Sequence, residues 1–464
     1  MLFNSFEFLV FLPVVFVSYF ILPHKFRWLL LLASSYLFYA FWEWKYLSLI
    51  LLSTFVDFAV AKSLNRAETP FKRRLLLGVS LLTNLGILIS FKYANFFIDN
   101  ANSAFEILGM EYMLPYTGFL LPMGISFYTF QTMAYTIDVY NRKAEVEHHF
   151  GYFALYVSYF PQLVAGPIER AQSLIVQLKQ KSKLEPKNLF LGTQMIIWGL
   201  FKKMVIADRL GAIVSMVYDQ PHEPSGILVV LATILFAIQI YCDFSGYSDI
   251  AIGVARLFGV KLMDNFKTPY WSKSISEFWS RWHISLSTWF RDYLYIPLGG
   301  NRVGRSRWVI NIMLVFVVSG FWHGANWTFI IWGALHGIYL LLERFIPSPP
   351  FFRKFRVVLT FVLVCLAWLF FRASSLDNAV DLLGQLASLN LSAALALLGT
   401  FGLSKFAFLL VLSGLFFAID PLIDKIHKLE KPSTKWTPLL YGVLLAGIFL
   451  FGNFGELSFI YFQF

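Results

Sequence analysis

Residues 308–342 read WVINIMLVFVVSGFWHGANWTFIIWGALHGIYLLL, a run of 35 residues without a charge. A straight helix rising about 1.5 Å per residue crosses the roughly 30 Å hydrocarbon core with about 20 residues. A run this long therefore has to turn or break inside the membrane. Gly320, Gly324 and Asn326 cluster near its middle, which places the expected break at His323 and leaves an imidazole at a helix end at membrane depth. Irregular backbone at that depth is tolerated where it lines a cavity or is covered by protein. A titratable side chain held there costs on the order of a few kcal/mol, so its retention points to chemistry or transport.

The rest of the chain has the same character. Of its 464 residues 58% are apolar and 14% charged, a balance that excludes an ordinary soluble domain. Further apolar runs fall at 2–22, 28–42, 46–61, 75–91, 189–201, 223–242, 357–371, 403–419 and 437–455, with weaker ones at 114–137 and 150–168. The expectation is an all-α polytopic membrane protein of about ten to twelve transmembrane or re-entrant helices. It forms a single membrane domain over 1–464, with an aromatic tail at 456–464. The first run lacks a basic flank and a small-residue cleavage site and contains Pro13, so it reads as a retained helix.

The net charge of +11 resides in short clusters between apolar runs, among them Lys72–Arg74, Lys202 with Lys203, and Arg302–Arg307. Positive-inside topology accounts for them, and the lack of a soluble domain to present a groove argues against nucleic acid as a partner. Cys242 and Cys365 both lie in apolar runs, so neither a disulfide framework nor a cysteine metal site is expected. His148 and His149 lie among glutamates in a charged loop and read as solvated. No metal is expected.

A second histidine stands 40 residues upstream of His323. On a helical projection of 277–293, Trp282, Leu286, Trp289, Phe290 and Tyr293 share one face, and His283, Ser287 and Arg291 form the adjacent stripe. One amphipathic helix is expected, re-entering the membrane with its polar stripe toward water, or lying as a structural helix on the surface. Asp243, Ser245, Ser248 and Asp249 form a polar knot after an apolar run, read as architecture, whose two acids need partners or water, with Arg281 or Arg291 as candidate partners. His336, in an apolar helix, is equally open to packing, gating or catalysis.

Five blocks in order resemble the membrane-bound O-acyltransferase family, in its branch of bacterial alginate and peptidoglycan O-acetyltransferases and teichoic acid D-alanyl transfer proteins. They are LPMGISFYTFQ from Leu121, FPQLVAGPI from Phe160, DFSGYSDIAIG from Asp243, RWHISLSTWFRD around His283 through GGNR at 299–302, and GFWHGANW around His323 through LHG at 335–337. The resemblance implies a bundle around a central funnel, acyl transfer within it, and an essential catalytic histidine at the position of His323. His283 corresponds to the branch's other histidine, assisting catalysis or positioning the acceptor.

Imidazole suits the chemistry, because attack of a hydroxyl on a thioester needs a base near neutrality. Asn326 and Trp322 are candidates to orient the ring or to donate to the developing oxyanion. Ser287 and Arg291 are candidates for substrate binding. Arg302, with Lys202, Lys203, Arg305 and Arg307, is a candidate for the phosphates of the donor, expected to be acetyl-CoA used as substrate with no bound cofactor.

FIYFQF at 459–464 is similar to the end of the small companion protein of teichoic acid D-alanylation, which makes Tyr461 a candidate acyl relay. An aromatic membrane-interface belt is the alternative. The resemblance implies a multi-pass protein of the bacterial inner membrane that serves a glycan acceptor pathway with a periplasmic or extracellular acetylesterase-like transferase. A pore or transporter for an acyl donor, and transfer of D-alanyl or of acyl groups to lipid or protein, remain as alternatives.

Overall fold

The computed structural model describes residues 1–164, 166–219, 225–346, 354–428, 437–455 and 459–460. The described residues are helical with no strand, and six helical segments are long and apolar enough to cross a membrane. One of these, His24–Arg66, joins two of the predicted runs across a short 3-10 turn at Trp44–Tyr46. The chain is an all-α, multi-pass membrane protein.

Where the sequence-based expectation fails, proline and glycine explain it. The run at 114–137 is helical only from Ile125, because Pro115, Gly118 and Pro122 interrupt it and Gly124 turns through φ +72°. The run at 150–168 divides into the helices Phe150–Ser158 and Phe160–Leu163.

The chain forms two compact units, one of Met1–Asn188 with Ala255–Met263 and one of Leu189–Val254 with Asp264–Phe464. The first is tied by polar groups as well as by packing. Asp57 on the helix Leu47–Arg66 is fully buried and accepts from Ser80 Oγ, Asn84 Nδ2 (2.8 Å) and Thr136 Oγ1 (3.1 Å), joining it to the helices Pro70–Leu88 and Ile125–Tyr140. Ser53 (2.6 Å) and Thr132 (3.2 Å) donate to the Asn84 carbonyl, so every member has partners that apolar surroundings could not supply. Glu169, between the helices Phe160–Leu163 and Ala171–Lys179, is buried and accepts from the Met263 amide.

The second unit holds the 308–342 run. It breaks where expected: the helix Arg305–His323 ends at the histidine, and Trp327–Phe345 begins three residues after Gly324, capped by Asn326. The two helices meet through glycine. A Cβ on Gly320 would stand 2.2 Å from the Phe329 carbonyl oxygen, and one on Gly333 would stand 2.3 Å from that of Phe316. No larger residue permits this backbone approach, the usual device for close helix contact in a membrane.

Candidate active site

The break at His323 sets the ring among aromatics. His323 is 4% exposed, with the Trp332 indole edge-on at 4.9 Å and the Phe371 ring at 5.7 Å. Trp332 lies one and a half turns into the following helix, so the reversal of the chain at Gly324 is what turns the indole back against the imidazole. A Cβ on Gly324 would meet the Phe329 ring at 2.1 Å.

His283 reaches the same place by a different route. The expected single helix over 277–293 is instead two, Ile275–Arg281 and Ile284–Phe290, followed by a π-turn over Arg291–Tyr295. The break falls on Trp282 and His283, and His283 takes the left-handed conformation (φ 42°, ψ 56°). For a residue with a side chain this conformation costs about 1–3 kcal/mol and persists only when its surroundings enforce it.

Asn265 is the enforcing residue. Its backbone carbonyl accepts from the Ile284 amide (2.9 Å). Its side-chain Oδ1 takes His283 Nδ1 (3.1 Å), Ser285 Oγ (2.9 Å) and the Ser285 amide (3.3 Å), while its Nδ2 donates to Ser248 Oγ (3.2 Å). A carbonyl oxygen only accepts, so Nδ1 of His283 carries the proton and Nε2 holds the lone pair of the neutral ring. Phe244 closes over this imidazole edge-on at 4.6 Å.

The two imidazoles thus arrive with ring centroids 6.5 Å apart. That spacing suits one oxygen bridged by both rings, given hydrogen bonds of about 2.8 Å to each. A cavity of about 160 Å³ lies alongside, lined by Trp279, Leu286, Ser287, Arg291, Tyr295 and Ser319 among others. Ser287 follows His283 by one turn and Ser319 precedes His323 by one turn, so the cavity flanks the histidine pair, although neither histidine lines it. It has room for on the order of ten water-sized groups.

The remaining predicted residues divide. Ser287 and Arg291 share the cavity wall, with Arg291 paired to the adjacent Asp292 (2.8 Å). Trp322 precedes His323 on its helix and is half-buried. Asn326 is engaged elsewhere, its Oδ1 capping the Thr328 amide (3.0 Å) and its Nδ2 donating to the Ser374 carbonyl (3.0 Å). Arg302 is exposed in a loop. His336, fully buried, accepts from the Trp279 indole at Nδ1 (3.3 Å) and stacks on Phe278, so its lone pair is occupied by packing partners. Tyr461 lies outside the described residues.

Two expectations about charge are corrected. The acids at 243–249 pair with the lysines and not with Arg281 or Arg291: Lys202 meets Asp249 and Ser245 Oγ (2.7 and 2.8 Å), and Lys203 lies between Asp208 and Asp243 (2.7 Å each). Arg281 instead pairs with Glu277 on its own short helix. Both lysines are 2% exposed, which removes them as binders of donor phosphates. They lie in a π-helical stretch, Phe201–Ala207, and not in a loop between apolar runs.

The residues that sequence reasoning missed are Asn265, Ser285, Phe244 and Trp332. Asn265 stands in a non-helical stretch before Pro269, where no periodicity marks it. An asparagine close to a polar knot was the available signal.

The geometry agrees with the comparisons to known proteins. The sequence pattern of the membrane-bound O-acyltransferase family matches residues 141–376, which include both histidines. The probable alginate O-acetylase of Pseudomonas putida is 41% identical over 395 residues, covering 84% of this chain and 80% of the relative. The peptidoglycan O-acetyltransferase of Helicobacter pylori is 39% identical over 434 residues, covering 84% and 80%. The teichoic acid D-alanyltransferase of Bacillus subtilis is more distant, 28% identical over 275 residues, covering 54% and 68%. With a helix broken at one buried histidine, a second histidine brought against it, and this extent of shared sequence, the chain belongs to the membrane-bound O-acyltransferase family and is a membrane-embedded O-acyltransferase.

Proposed function

We propose that this protein moves acetyl groups from a cytoplasmic thioester, acetyl-CoA, across the bacterial inner membrane for O-acetylation of an extracytoplasmic glycan, either an exopolysaccharide of the alginate kind or peptidoglycan. The observation that carries the reading is the buried His283–His323 pair, 6.5 Å between ring centroids, beside a cavity walled by Ser287 and Arg291. The names of the relatives support acetyl as the group and a glycan as its destination.

In the proposed reaction an acceptor hydroxyl attacks the thioester carbonyl, and His323 takes the hydroxyl proton. The tetrahedral oxyanion then collapses, the C–S bond breaks, and the thiolate leaves with the proton returned by the imidazolium. An ester and a free thiol result. A positioned base of this kind contributes about 10² to 10⁴ in rate. His283, with its Nε2 lone pair fixed by Asn265, stands beside His323 as a second acceptor that can orient the hydroxyl proton before His323 takes it. The acceptor we favour is the phenol of Tyr461, whose ordinary pKa of about 10 makes it easier to activate than an alkyl alcohol and its ester a better donor. The acetyl group then passes to a serine of an acetylesterase-like partner on the outer face. Arg302, exposed in its loop, is the candidate for a donor phosphate.

Intact-mass spectrometry of the purified protein after incubation with labelled acetyl-CoA tests this reading. One labelled acetyl on the native chain, absent in His323→Ala and in Tyr461→Phe, is the expected result. No label on the native chain, with the polymer still acetylated once a partner is added, would favour direct transfer and return Tyr461 to an interface belt. Arg302→Glu should raise the donor concentration needed for half-maximal labelling.

A further inference from the structure

We infer that the second unit contains a built receptor for the chain's own aromatic segment, latched through Asp243, and that Asp243 and Lys203 are positioning residues for acyl transfer. The inference rests on the relay reading above.

Phe459 and Ile460 are 0% and 5% exposed. Phe459 packs between Tyr247 (ring centroids 4.7 Å) and Phe244 (5.3 Å). The backbone amide of Ile460 donates to Asp243 Oδ2 at 2.7 Å. The other oxygen of that carboxylate, Oδ1, is held by Lys203 at 2.7 Å, and Lys203 is held in turn by Asp208. The carboxylate therefore has one oxygen fixed by a buried cation and the other turned to a peptide N–H.

The arrangement looks backward and forward from residue 460. Before the aromatic segment, the chain is tied down by the Asn453 amide on the Met204 carbonyl (3.0 Å) and by Arg209, which donates to the carbonyls of Phe451 and Gly452 (3.1 and 3.0 Å). Met204 and Lys203 are neighbours in the same π-helical stretch. On the other side, Phe244 touches both Phe459 and His283, so the ring that receives the segment also closes over the His283 imidazole.

A charged acceptor gives this hydrogen bond about twice the strength of a neutral pair. It binds the backbone and not a side chain, so it fixes the chain at residue 460 whatever side chain stands there. A simple membrane-interface belt requires neither a buried carboxylate nor a specific backbone amide. The site would accept a short peptide of an aromatic residue followed by an aliphatic one, entering with its N–H toward Asp243.

The test uses the full chain with benzoylphenylalanine at position 459, irradiated in detergent, with the crosslinked peptide identified by mass spectrometry. Crosslinks to 244–247 are expected in the otherwise native chain. Ile460→Pro removes the donor without touching the ion pairs and should lower that crosslink at least tenfold. Asp243→Asn leaves a single oxygen for both Lys203 and the Ile460 amide and should lower the crosslink several-fold, and Asp243→Ala should lose it. An unchanged yield in Ile460→Pro, or crosslinks placed elsewhere in the native chain, overturns the latch. Glycan acetylation measured in the same strains separates the two ideas. A lost crosslink with acetylation intact upholds the latch but overturns both the relay and the positioning role of Asp243 and Lys203, and a loss of both upholds all three.

Discussion

The imidazole rings of His283 and His323, forty residues apart in the chain, meet with centroids 6.5 Å apart and an angle of 61° between their planes. Each stands at a helix break, and each break is held from outside its own helix. Asn265 holds the first, and the glycine contact between the helices Arg305–His323 and Trp327–Phe345 holds the second. The site is thus a product of two interrupted helices, and its performance should respond to whatever stabilises the interruptions.

Removal of the His323 ring should reduce acetyl transfer by about 10² to 10⁴ while leaving the fold intact, since the ring makes aromatic contacts that packing can partly replace. Labelled acetyl incorporation and thermal unfolding of the purified His323→Ala protein check the two halves. Activity within tenfold of native would mean that another group serves as base.

Asn265→Leu deprives His283 Nδ1, Ser285 Oγ and the Ser285 amide of their common acceptor. Leaving buried donors unpaired costs about 1–3 kcal/mol each, and the left-handed turn at His283 loses its support. We expect a turnover rate at least tenfold lower together with a depressed melting temperature, and Asn265→Asp, which keeps an acceptor, should recover much of the stability. Native turnover in Asn265→Leu would show that the tautomer of His283 is immaterial.

Gly320→Val places a side chain where the Phe329 carbonyl oxygen lies 2.2 Å from the first added carbon. The two helices must separate, at about 1–3 kcal/mol for overpacking of this kind. His323 ends the same helix, so activity should fall with stability. Gly78, with open space around its Cβ position, provides the control: Gly78→Ala should be near neutral or slightly stabilising.

Glu169 provides a pH signature outside the membrane-spanning helices. Burial raises its carboxyl from the ordinary glutamate value to about 7, against the lowering effect of the Met263 amide and Arg170. The folded state therefore binds a proton more tightly than the unfolded chain. Stability is fully present below about pH 4.5 and is lost as pH rises toward 7, by as much as about 3 kcal/mol. Melting temperatures of the native protein should fall across that window, and Glu169→Gln, neutral throughout, should flatten the profile. An equally steep profile in the glutamine variant would place the titrating group elsewhere.

Lys203→Met would strand the carboxylates of Asp208 and Asp243 in a buried setting. Breaking a buried pair in this way costs about 3–5 kcal/mol. Adding Asp243→Asn to Lys203→Met should restore part of the lost stability, and strictly additive losses would argue against a coupled pair.

Sequence alone determined the helical membrane character, the break at His323, and the histidine pair as the centre of interest. It could do so because hydrocarbon enforces long uncharged runs, and because glycine and asparagine within such a run mark where the helix yields. The family resemblance rested on contiguous blocks that are legible without coordinates. Tertiary structure decided what the sequence left open: that the 277–293 segment breaks at His283, that Asn265 fixes its tautomer, and that Lys202 and Lys203 are buried partners of Asp249 and Asp243 and not ligands for a donor. The physical reason is common to all three. A strained backbone and a buried charge persist only through partners distant in sequence, and periodicity, which reports one helix at a time, carries no record of which partner that will be.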